Sequence, residues 1–216
     1  MVLTACSQAN PPDLSFAGIT IGKEFPDSLK TNGYFEYYDN NVPFYEVSVI
    51  FDLPNFPKKE LHVVATTDLQ NKEVTCIQLT MFMPEASDFY NMLKSKYRLP
   101  SSDFGDTDCS LQTLINRIYE QLGYKSYAYF GECPSISGTR VLAAWEPASY
   151  ESAILLITDT YHSQSSYNSQ LDTFVRFKYI NVKKSEAVEK EVQKIHDNKQ
   201  RDDYRKDNAE SMSQDF

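Results

Sequence analysis

Glycine is scarce in this chain, with seven residues in 216. A P-loop, a G-x-G-x-x-G turn and a G-x-S-x-G nucleophile elbow all depend on clustered glycines that let backbone approach a phosphate or expose a serine, and none of these patterns occurs. Histidine is scarcer still. The three, His62, His162 and His196, are far apart in sequence, and no H-E-x-x-H or C-x-x-C motif accompanies them, so the sequence points to no metal and no cofactor. Asp103, Asp106 and Asp108 could offer oxygens to calcium, but they lack the glycine and twelfth-position glutamate of an EF-hand loop, and capping of the following helix accounts for them. No run of eighteen apolar residues exists, which excludes a spanning helix of that kind. A basic excess is also missing: the net charge is −9 and the pI near 4.9, which excludes nucleic acid or an anionic membrane surface as the main partner.

What is present is enough apolar material for a core, 41% hydrophobic with 13% aromatic. The clearest amphipathic segment is Leu111 to Leu122, where Leu111, Leu114, Ile115, Ile118 and Leu122 share one helical face and Gly123-Tyr124 follows as a C′ stop. Gly33-Tyr34 repeats that stop after a helix expected over Phe25 to Asn32. Each helix leads into three strands. In the first group these are Tyr45 to Phe51, Leu61 to Thr67 and Val74 to Met83, and a helix follows Pro84 and ends before Pro100. In the second they are Arg140 to Trp145, Ser152 to Thr160 and Thr173 to Val182, the last with Val175, Phe177 and Tyr179 facing in and Arg176 and Lys178 out. A helix capped by Ser185 carries the stripe Val188, Val192, Ile195.

The expected fold is therefore α+β: two tandem helix-plus-three-stranded antiparallel sheet units, with helices packed on the sheets and a charged C-terminal helix. Residues 1–13 form a tether and linker, 14–100 the first unit, 101–196 the second, and 197–216 a charged helical or frayed tail. Asp197/Arg201 and Asp202/Lys206 are i,i+4 pairs suited to prolonging a solvated helix, with Ser211 to Phe216 frayed. The main asymmetry between the units is the serine-rich hairpin Tyr161 to Gln170.

Leu3-Thr4-Ala5-Cys6 matches the end of a lipoprotein signal, where small residues precede a thiol that is acylated, and the polar run Ser7 to Pro12 follows as a linker. Only Met1 and Val2 precede this box. The expected location is accordingly the periplasm or outer membrane through a lipid at Cys6, or the cytoplasm if the chain starts at Met1. Taken with Phe16-x-Gly18-Ile19-x-Ile21-Gly22-x-x-Phe25 and Leu29-x-x-x-Gly33-Tyr34, the chain resembles uncharacterised lipoproteins of gut Bacteroidota. Its repeated order of elements is similar to that of β-lactamase inhibitory protein and small envelope-assembly lipoproteins, which stack helices on antiparallel sheets. The resemblance implies an extracytoplasmic, lipid-anchored interaction protein and no catalytic residue.

With Cys6 acylated, Cys76, Cys109 and Cys133 remain. Cys109 and Cys133 are the disulfide candidates, a helix start joined to the loop before a strand, whereas Cys76 reads as an inert strand thiol. The fifteen tyrosines cluster after each Gly-Tyr stop, so the binding-face candidates are Tyr124, Tyr127, Tyr129, Tyr161, His162 and Tyr167, with the helix–sheet seam as the competing place for such rings. The expected function is an extracytoplasmic binding module for an envelope protein or a small-molecule or glycan ligand, without catalysis. The competing expectation is a hydrolase or other enzyme whose site, built from His62, acidic loops and tyrosines, lies between the two units.

Overall fold

The computed structural model describes residues 13–30, 35–39, 42–53, 56–97, 99–122, 141–145, 152–160 and 173–214. Two very short strands, β1 (Ser15–Phe16) and β2 (Ile19–Thr20), open it as a hairpin. The residues between them, Ala17 and Gly18, both have positive φ, as a two-residue turn of the I′ kind requires. Gly22, at φ +79°, turns the chain onto the start of a later strand, where its N–H donates to Val74 O and Val74 N–H donates to Lys23 O.

The first helix begins two residues later than the sequence predicts. Among the described residues α1 is the single turn Asp27–Lys30, and the Gly33-Tyr34 stop lies outside them. Phe25, expected to begin the helix, instead stacks on Tyr45 with ring centroids 4.1 Å apart and planes 9° apart. Burial of that ring in the core overrides its place in a helical pattern.

Four strands then follow where three are expected: β3 (Phe35–Asp39), β4 (Val42–Leu53), β5 (Phe56–Thr67) and β6 (Val74–Phe82). Helix α2 (Met83–Tyr97) begins on the residue after β6. Helix α3 (Leu111–Leu122) covers the amphipathic segment and begins three residues after the expected start near Asp108. Its N-cap is Ser110, whose Oγ accepts from Thr113 N–H at 3.1 Å. Strands β7 (Val141–Trp145), β8 (Ser152–Thr160) and β9 (Thr173–Asn181) fall within a residue of expectation. Helix α4 (Val182–Gln214) again begins on the residue after a strand. It starts earlier than expected because Asn181 is the cap, its Oδ1 accepting from Lys184 N–H at 2.9 Å, while Ser185 is buried in the first turn.

All seven long strands form one antiparallel sheet in the order β3-β4-β5-β6-β9-β8-β7. Two separate three-stranded sheets are expected from the sequence; the structure joins them along β6 and β9. A ladder of seven registered pairs, from Cys76↔Ile180 to Phe82↔Phe174, makes that joint. Side chains alternate across it. Ile77, Leu79 and Met81 of β6 and Val175, Phe177 and Tyr179 of β9 face α2, α3 and the β1–β2 hairpin and form the main core. Phe89 of α2 sits at its centre, edge-on to Phe177 at 4.7 Å and to Phe16 at 6.0 Å. Tyr90, one residue on, meets Trp145 edge-on at 5.6 Å.

α4 is 33 residues long, about 50 Å at the usual helical rise. Its start is docked: Ser185 Oγ donates to Thr75 O at 3.2 Å and Lys184 pairs with Glu73. From His196 to Lys206 every residue is exposed. The expected ion pairs there give way to two hydrogen bonds and one different ion pair: Gln193 donates to Asp197 at 2.8 Å, Arg201 donates to Asn198 Oδ1 at 3.2 Å, and Arg205 lies 3.8 Å from Asp202.

Replacing Phe89 with alanine is expected to cost about 3–5 kcal/mol, because the cavity would lie where three layers meet. Asn181→Ala is expected to cost about 1 kcal/mol through the lost cap of α4. Urea denaturation of both variants checks the pair; a Phe89 variant within 1 kcal/mol of the parent, on the order of a surface change, contradicts this packing.

Candidate functional site

The sheet's second face carries the residues that composition alone does not place. On β6 it presents Cys76, Gln78 and Thr80, and on β9 the facing residues are Ile180, Lys178 and Arg176. Register runs one row across five strands: Glu46, Val64, Gln78, Lys178, Leu155. The middle of this face is closed to solvent. Cys76 has no exposed surface, Lys178 is 2% exposed and Gln78 7%. Lys178 was expected to point out into water; it does leave the main core, but into a second buried layer. Cys76, Ala153 and Ile180 form a small apolar cluster there, with Ala144 and Val182 against it. Among the described residues Gln78 Oε1 has no hydrogen-bond partner.

Toward the β4–β5 tip the same face opens. Ser48, Ile50, Glu60 and His62 are exposed, Ile50 to 79%, and they pair across the two strands as Ser48↔His62 and Ile50↔Glu60. His62 Nε2 stands 3.7 Å from Glu46 Oε1. That separation exceeds hydrogen-bond reach, and with more than half of the histidine side chain exposed the pair is a solvated strand-face contact, not an assembled acid–base device. His196 is on α4, next to Gln200 at 3.0 Å.

The cysteines depart from expectation. Cys109 is a free thiol, so the bridge expected between Cys109 and Cys133 does not form. Cys76 is disulfide-bonded instead. The sheet separates the two described thiols: Cys109 packs against the main core on the first face, with its Sγ 3.6 Å from Asp106 O, while Cys76 points from the second. Alternation along β6 puts Cys76 in the row of Ile180, yet nothing in a strand pattern marks a thiol as paired.

The loop before α3 is bound to its neighbours through backbone and lysine contacts. Asp106 O accepts from Arg117 Nη1 at 2.6 Å, Asp106 Oδ1 accepts from Asp108 N–H at 2.9 Å, and Asp108 lies 3.8 Å from Lys94. Lys94 Nζ also donates to Cys109 O at 3.0 Å, and Tyr90 OH donates to Thr107 O at 2.9 Å. Among the described residues no group of three His, Cys, Asp or Glu side chains could hold a metal ion.

Cys6, Cys133 and the binding-face residues Tyr124, Tyr127, Tyr129, Tyr161, His162 and Tyr167 lie outside the described residues. The first tyrosine cluster is represented by Tyr45. It is buried, its hydroxyl donating to Asn71 Oδ1 at 2.8 Å, and so it belongs to the helix–sheet seam. Among the described residues no helix is long and apolar enough to cross a membrane. Comparison of the chain with family models, curated proteins and solved structures returns no match.

Burial, assisted by the nearby Cys109, Asp108 and Asp106, pushes the Tyr90 phenol far above its ordinary value, and burial followed by the neighbouring Tyr97 does the same to Tyr179. A phenol whose pKa is raised on folding contributes stability that is intact below the unfolded value, near 10, and is lost as pH rises past it. The melting temperature is therefore expected to hold up to about pH 10 and to fall steeply above it. Tyr90→Phe should soften that alkaline fall while losing about 1 kcal/mol at neutral pH with the Thr107 bond. Thermal melts from pH 7 to 11 check it; an unchanged alkaline slope contradicts the role of Tyr90.

Proposed function

We propose that this protein is an extracytoplasmic binding module, held to the envelope by a lipid on Cys6 and engaging an envelope protein or a small-molecule or glycan ligand. The observation that carries the reading is the oxidised Cys76 in the middle of the sheet. Disulfides of this structural kind form and persist in oxidising compartments and are rare where glutathione keeps thiols reduced. An oxidised body behind a small-residue box ending in cysteine is what an exported, tethered protein needs. The open end of the second face, with Ile50 standing out among Ser48, Glu60 and His62, is a described surface on which contact with a partner would cover apolar area.

We also infer that the body is built from two units, 14–100 and 101–196, related by duplication. What supports this is the matching course of the two halves. In each a three-stranded meander ends in a strand that passes without a loop into a helix, β6 into α2 and β9 into α4. Those two third strands are antiparallel neighbours at the sheet centre, the arrangement that an approximate two-fold axis between the units produces. This likeness of course also accords with the resemblance to small envelope lipoproteins that stack helices on antiparallel sheets.

Mass spectrometry of the native protein from fractionated cells is expected to find the body in the envelope fraction with Cys6 acylated; a soluble, unmodified chain beginning at Met1 would sink the tether. Reduction provides an independent check on the compartment. Dithiothreitol should lower the unfolding free energy by about 2–5 kcal/mol, measured by urea titration.

A further inference from the structure

We infer that the body stands upright on the bilayer: the end of the sheet where β6 begins faces the lipid, and the β4–β5 end, with Ser48, Ile50 and His62, is presented away from it. This placement rests on the lipid at Cys6 proposed above; the residues before Asp13 enter it only through their number.

Strand direction defines the two ends. β6 runs from Val74 to Phe82, eight steps of about 3.4 Å, or roughly 27 Å. Val74 pairs with Thr67, and Thr66 with Phe44, so the start of β4, the end of β5 and the turn from Asp68 to Lys72 share the first end. The start of α4 is there too, since Cys76 pairs with Ile180 and Glu73 with Lys184. Val47, Val63 and Leu79 share one level. Ile50, three residues further along β4, therefore lies at about the height of Phe82, and Ser48 and His62 lie just below it.

The chain enters the body at the first end. Asp13 is the first described residue, and its carboxylate pairs with Lys23 at 2.6 Å. Gly22 N–H donates to Val74 O and Val74 N–H to Lys23 O, which fixes this entry point to the first residue of β6. Packing holds it as well, because Leu14 and Phe16 are buried in the main core. Asp13 follows Cys6 by seven residues, which reach at most about 25 Å when extended. A lipid on Cys6 thus keeps the first end within that distance of the headgroups, while Ile50 lies roughly 27 Å further along the strands.

Charge decides between standing and lying flat. The chain carries a net charge of −9, and anionic headgroups create a negative potential that acts within a Debye length of about 10 Å. Lying flat would bring a whole side of this acidic body into that layer. Standing brings in one end, where Lys23 is paired with Asp13 and Lys184 with Glu73. The open surface around Ile50 then meets partners that approach from the aqueous side.

The test is energy transfer from tryptophan to dansyl-labelled headgroups, with the lipid-bearing chain from the envelope placed in vesicles of phosphatidylethanolamine and phosphatidylglycerol. Lys72→Trp marks the first end and Ile50→Trp the far end; both positions are exposed. The parent chain, whose one tryptophan, Trp145, is buried in the core, supplies the reference. Transfer from Lys72→Trp is expected to exceed that from Ile50→Trp several-fold. Equal transfer from the two sites describes a body lying flat and overturns the placement, as does stronger transfer from Ile50→Trp. In both of those cases flotation with the vesicles still shows the chain bound, so the tether stands. A parent chain that does not float with the vesicles overturns the tether and the placement together.

Discussion

The pairing of β6 with β9 is the constraint on which the rest of the structure depends. Each strand lies between two others, and the seven registered pairs between them set the side-chain parity of both halves at once. Phe177 and Leu79 fall under α2 because Lys178 and Gln78 fall on the other face. A slip of one residue in either strand would put Arg176 or Lys178 beneath Phe89 and drive Phe177 out of the core, so register is strongly specified. Both strands also run straight into helices. The ladder that fixes parity therefore fixes the origins of α2 and α4 as well, at opposite ends of the sheet.

This arrangement gives the two faces different chemistry. The first is dry and aromatic, with Phe16, Phe89, Phe177, Tyr90 and Trp145 in edge-on contacts. The second combines a buried lysine side chain, a buried amide and a disulfide-bonded cysteine in its middle with an open polar end carrying Ile50 and His62. A covalent fastening at this layer stabilises the fold chiefly by restricting the unfolded chain. The disulfide at Cys76 supplies that fastening, and the open end remains the described surface available to a partner.

Periodicity made the long elements legible. Helix α3 has the bounds that Leu111, Leu114, Ile115, Ile118 and Leu122 imply, and β8 those that Ser152 to Thr160 imply, since each buries one clean stripe or face. Where a residue's fate depends on partners distant in sequence, the pattern misleads. Phe25 left the helix for a stack on Tyr45, and Lys178, outward by alternation, was covered. β3 was missed because Phe35 to Asp39 shows no alternation and pairs only as an edge strand on β4. The candidate site was the least legible part. His62 and Glu46 could be read as a pair only after β4 and β5 were in register, and a cysteine's pairing follows from which face it occupies.

The sequence by itself determined the α+β class, the positions of the longest helices and strands and the acidic, glycine-poor character of the chain, because these depend on composition or on residues a few positions apart. Only the tertiary structure decided that the two strand groups share one sheet, that Asn181 and not Ser185 caps α4, and that Cys76 and not Cys109 is oxidised. The first two turn on the strand-to-helix junctions and on the β6–β9 ladder, which joins residues about a hundred positions apart. The third turns on the side of that ladder from which each thiol projects, a property that exists only once the sheet has formed.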